Sequence, residues 1–133
     1  MEIRDKSFAD PAFINLLREH EVGLVVADTV AWPLLFDLTT DFVYCRLHGS
    51  EELYASGYEH DALELWADRI AAWALGAPRP STDRRAHPVE ADAGPRDVFV
   101  YFDNDIKVRA PFDAEALITR VQSRLALPFS VVG

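Results

Sequence analysis

Residues 42–49 read Phe42-Val43-Tyr44-Cys45-Arg46-Leu47-His48-Gly49. β-branched and aromatic residues dominate the octet and glycine closes it, which is the composition of a strand. A two-residue repeat puts Val43, Cys45 and Leu47 on one face and Phe42, Tyr44, Arg46 and His48 on the other. The first face is uniformly apolar and asks to be covered by helices. The second changes from aromatic to charged as the strand ends, so Arg46 and His48 are expected to project together from its C-terminal end.

Upstream, Gly23 precedes Leu24-Val25-Val26-Ala27, a short continuous apolar run of the kind found in strands covered on both faces. It ends at Asp28-Thr29. Before it, Ala9-Asp10-Pro11 signals a helix, with Asp10 as cap and Pro11 at the first helical position. That helix runs to about His20 and turns Phe13, Ile14, Leu16 and Leu17 inward. Downstream, Leu63, Trp66, Ala67, Ile70 and Trp73 form an apolar stripe over residues 60–75, and Gly76 ends the helix. Residues 77–97 carry Pro78, Pro80, Pro88 and Pro95 and read as a surface loop. Val98 to Phe102 is a further strand ending at Asp103-Asn104-Asp105. A last helix covers about Asp113 to Leu125, with Ala114, Leu117, Ile118, Val121 and Leu125 on one side, before Pro128. Strand and helix alternate, so the class is α/β with parallel pairing and right-handed crossovers. Residues 1–133 read as one domain.

The chain has 133 residues, half of them apolar, enough for a core. Thirteen Lys and Arg against 22 Asp and Glu give 13 − 22 = −9, a surface that repels polyanions, so nucleic acid is not the expected partner. One cysteine excludes a disulfide framework and a Cys-rich zinc site. Met1 is followed by Glu2, Arg4, Asp5 and Lys6, which does not read as a signal peptide, and no apolar run approaches a membrane span. A cytoplasmic protein is expected, with no membrane partner.

Several strings, in order and spacing, resemble one family. They are Glu2-Ile3-Arg4 with Ser7-Phe8, the strand end Ala27-Asp28-Thr29, residues 42–49, Tyr58 with Leu63, Trp66 and Ala67, and Val98 to Asn104 with Ala114 and Leu117 beyond. On these the chain resembles the C-terminal half of the YecE-like family, domain of unknown function 72. The resemblance implies half of a TIM-type (β/α)8 barrel, about four parallel strand-helix units, since members look like barrels of about twice this length. A half-barrel leaves open strand edges and an uncovered inner face. The implied partner is therefore a second copy, as a homo-oligomer, or a missing N-terminal half. There are departures: Asp5 and Phe8 stand where the family has His and Trp, and Asp103 stands where it has Asn.

Residues at the C-terminal ends of parallel strands converge on one mouth. This makes His48, Arg46, Asp28 and Glu2 the candidate catalytic residues, with Arg4, Tyr58 and Asn104 as substrate-binding candidates. A guanidinium fork beside an imidazole suits a small anionic or phosphorylated ligand, with His48 as acid or base and Glu2 or Asp28 assisting. Alternatives remain open: a non-catalytic anion-binding module on the same pocket, a structural half-barrel in which Arg46 pairs with Glu2 or Asp28, or metal-assisted phosphodiester cleavage, the weakest of the four. Asp103 and Asp105 read as turn residues. Spacings among His20, His60 and His87 suit no zinc site, so no metal is assigned, and the sequence designates no cofactor.

Overall fold

The computed structural model describes residues 1–29, 31–49, 60–77, 83, 85–86, 94–103 and 109–125. Along the chain the elements are α1 (Pro11–Glu19), β1 (Val25–Thr29), β2 (Phe42–Gly49), α2 (His60–Leu75), β3 (Asp97–Phe102) and α3 (Arg109–Leu125). The strands pair in the order β1-β2-β3, all parallel, with Cys45 beside Val26 on one side and Val100 on the other. A mixed α/β fold with a parallel sheet is the class expected from the sequence.

The alternation along β2 is realised. Val43, Cys45 and Leu47 are buried, while Phe42, Tyr44, Arg46 and His48 stay partly open. Behind the buried face lie Leu63, Trp66, Ala67, Ile70 and Trp73 of α2 and Leu117 of α3, with Phe36 and Leu38 from the segment leading into β2. Trp66 and Trp73 are thus core residues, each facing the ring of Phe36. Burial pushes the Cys45 thiol well up; Arg69 opposes that shift and Asp28 adds to it, so the sulfur is an inert packing atom. A second cluster joins Ile14 and Leu17 of α1 to Ile3, Leu24 and Leu35. Asp10 caps α1 by accepting from the Ala12 N–H at 2.7 Å, as the Asp-Pro signal requires.

Three expectations are corrected. The described residues form three strands rather than about four: Met1 bonds the chain entering β1 on both sides, its N-terminus donating to the Gly23 carbonyl and its own carbonyl accepting from the Val25 N–H at 2.9 Å, but Glu2–Arg4 is not part of a strand. Asp5 then accepts from Ser7 N–H and turns the chain into a short 3-10 helix (Lys6–Phe8). Helix α3 starts at Arg109 rather than Asp113, because Pro111 falls in the first turn, where an N–H has no helical partner anyway. Leu16 and Ile118, expected inward, are half exposed. Within 77–97, Asp83 is buried against Arg69, and Ala86 N–H donates to Asp37 at 2.7 Å. Among the described residues no helix is long and apolar enough to cross a membrane.

Candidate functional site

The open face of β2 leads to a charged cluster at the C-terminal end of the sheet. Arg46 Nη1 donates to both carboxylate oxygens of Glu2, at 2.9 and 2.8 Å, and its Nη2 donates to Asp103. Arg4 Nη2 donates to Glu2 Oε2 at 3.2 Å. Asp103 is brought here because its N–H extends the ladder by one bond beyond β3, to the Leu47 carbonyl at 2.8 Å.

His48 stands between the same two carboxylates. Its Nε2 is 3.6 Å from Glu2 Oε1 and its Nδ1 is 3.4 Å from Asp103 Oδ2. Nε2 is shielded from solvent and has no hydrogen-bond partner among the described residues. Trp32 meets the imidazole edge-on at 5.3 Å and carries the Arg4 guanidinium 4.3 Å above its own ring. Loss of hydration works against the charge on Arg46, but its hydrogen bond to Asp103 and the charges of Glu2 and Asp103 outweigh it and hold its pKa above the ordinary value. Two guanidinium groups thus face two carboxylates around the imidazole.

Of the residues expected from the sequence, Glu2, Arg4, Arg46 and His48 meet. Asp28 does not. It lies in register with Leu47, on the helix-covered face, and is 4% exposed; Ala27 is the residue beside Arg46. The two-residue repeat that puts Ala27 in front beside Arg46 puts Asp28 behind. Tyr58 and Asn104, like Tyr54, Asp105 and Pro128, lie outside the described residues. Asp103 is among the strand-end residues expected to converge, although the sequence reads it first as a turn residue; the structure brings it to Arg46. Sequence reasoning missed one member. Trp32 was not singled out; its signal is an aromatic residue in the stretch that follows β1. No group of three or more His, Cys, Asp or Glu among the described residues is arranged to hold a metal ion.

A parallel α/β sheet with a polar cluster at the carboxyl ends of its strands defines a general class of proteins that build sites at that edge. Within it, the chain belongs to the family described as protein of unknown function DUF72, whose family model matches residues 1–130. Among solved structures it is similar to a DUF72 family protein from Enterococcus faecalis V583, at 19% identity and a TM-score of 0.59, covering 96% of this chain and 48% of that one. It is also similar to a DUF72 family protein from Thermotoga maritima MSB8, at 22% identity and a TM-score of 0.61, covering 93% and 44%. The chain therefore spans about half the length of these structures. No curated protein matches it.

Proposed function

We propose that the strand-end cluster binds a small anionic ligand, a phosphomonoester or a carboxylate, and that His48 serves there as acid or base. The observation that carries this reading is the convergence of Glu2, Arg46, His48 and Asp103 from three distant segments on one end of a parallel sheet. Asp103 is 49% exposed, so its hold on Arg46 is screened by water, and an incoming anion can replace it. Arg4, 63% exposed, offers a second guanidinium. Glu2, the more buried carboxylate, keeps Arg46 oriented during that exchange. We infer also that the chain corresponds to half of a (β/α)8 barrel, the C-terminal half, because it spans about half of its relatives and leaves one face of a parallel sheet uncovered.

Sulfate is the probe of choice, since its charge does not change with pH over the working range. Thermal unfolding with and without sulfate should show a rise in Tm that is lost in Arg4→Gln and His48→Gln. Saturation at a hundred times Kd corresponds to about 2.7 kcal/mol of stabilisation. No effect of sulfate on the wild type, or a rise in both variants equal to that of the wild type, removes the anion site. A substrate screen then separates turnover from binding. One observation favours a second reading: both arms of Arg46 are already occupied, so the network can act as a clasp tying residues 1–4 to the end of β3. In that case His48→Ala lowers Tm and leaves the sulfate response unchanged.

A further inference from the structure

We propose that the uncovered aromatic face of the sheet is the contact surface for a second copy of this chain. This goes beyond the anion site and does not depend on it. Register puts Phe42, Tyr44, Phe99 and Tyr101 on that face. Phe42 is 38% exposed, Phe99 49% and Tyr101 54%. The four rings are already organised in pairs, Tyr44 stacked on Tyr101 at 5.2 Å and Phe42 edge-on to Phe99 at 6.4 Å. They form a continuous surface across two strands rather than scattered apolar residues.

Three arguments identify the occupant. Parallel sheets are stable when both faces are covered, and here α2 and α3 cover one. The similar structures are about twice as long, so an amount of chain equal to this one accompanies the matched part in them; a second copy supplies that amount. Charge permits it despite the −9 of each chain. Among the strand residues between Asp97 at the start of β3 and Arg46 near the end of β2, this face carries Val25, Ala27 and the four aromatic rings, so no carboxylate of the strands opposes its copy across the centre of the contact. An identical patch on both partners is the geometry of a two-fold interface. β3 also keeps an outer edge with no neighbouring strand among the described residues, and such an edge invites pairing.

The test is light scattering on a sizing column, with sedimentation over a range of concentrations, on the 133-residue chain and on Tyr101→Lys and Phe99→Lys. Both positions are half exposed, so lysine fits without disturbing the core, and circular dichroism verifies the fold of each variant. The expected result is a dimer whose dissociation constant rises about tenfold or more in each folded variant. A folded wild-type monomer at every concentration overturns the proposal. So does a dimer indifferent to both substitutions, or a monomer that associates only with a separate polypeptide supplying the remaining barrel strands. If one variant fails to fold, the other decides.

Discussion

Arg69 illustrates how much a single side chain can hold. Its guanidinium lies 4.4 Å from the Phe36 ring centre and 4.7 Å from that of Trp66, and it grips Asp83 through Nε and Nη2 at 3.1 and 2.9 Å. The Asp83 side chain is 1% exposed and that of Arg69 11%, so neither charge is compensated by water. Removing one partner leaves the other buried and uncompensated, which costs about 3–5 kcal/mol. Asp83→Ala should therefore lower the urea midpoint by a corresponding amount, and pairing it with Arg69→Met should recover most of the loss. If Asp83→Ala alone is neutral in urea titration, the pair is only a surface contact. Such pairs explain what the sequence concealed. His48 and Arg46 are legible because alternation along one strand orients them, whereas Asp83 lies in a Pro-rich stretch and finds Arg69 on a helix. Asp28 was misplaced for a related reason: a continuous apolar run has no alternation of its own from which to read a face.

At the scale of elements, two helix ends use the same device with different residues. After α2, the Gly76 N–H donates to the Trp73 carbonyl and the Ala77 N–H to that of Ala72, with Gly76 at φ 70°. After α1, Glu21 N–H donates to Arg18 and Val22 N–H to Leu17, with Glu21 at φ 53°. Both are Schellman ends, and each needs a left-handed residue that glycine tolerates best. Glu21→Gly should thus stabilise the protein by about 0.5–1 kcal/mol, and Gly76→Ala should destabilise it by about 1 kcal/mol, both read from chemical denaturation. Gly76 was legible as a stop; Glu21 was not, because no composition rule marks a glutamate as left-handed. Helices α2 and α3 are joined by charge as well as by packing. Arg120 Nε donates to Glu64 at 2.9 Å and Arg124 Nε to Asp68 at 2.7 Å, and Arg124 also reaches Glu64. The hydrogen bond from Arg124 holds the Glu64 carboxyl below its ordinary value, against the opposing effect of desolvation. A lowered carboxylate contributes stability above its unfolded-state value and loses it as pH falls through the folded one. Glu64→Gln should accordingly lower Tm at neutral pH, with the difference from wild type closing as the pH drops below the glutamate range. A difference that persists in acid would assign the effect to packing instead.

For the whole molecule, the alternation of elements made the α/β class legible, since each helix stripe and each apolar strand face demands the other. The number of strands was less so, because whether Glu2–Arg4 pairs as a strand depends on the turn that Asp5 starts. The balance between an acidic surface and an apolar sheet face then sets how association responds to salt. Each chain carries −9, so two copies repel at long range, and this repulsion reaches about 30 Å at 0.01 M salt but only about 8 Å at 0.15 M. Contact between aromatic faces is not screened in this way, because its driving force is removal of apolar surface from water. Raising salt should therefore strengthen self-association, and Tyr101→Lys should flatten the response by placing a cation on each copy. Sedimentation at the two ionic strengths measures this directly. Association that weakens with salt would mean that ion pairs such as those of Arg4 or Asp103, rather than the rings, join the copies, and the contact would then lie at the strand ends instead of across the sheet.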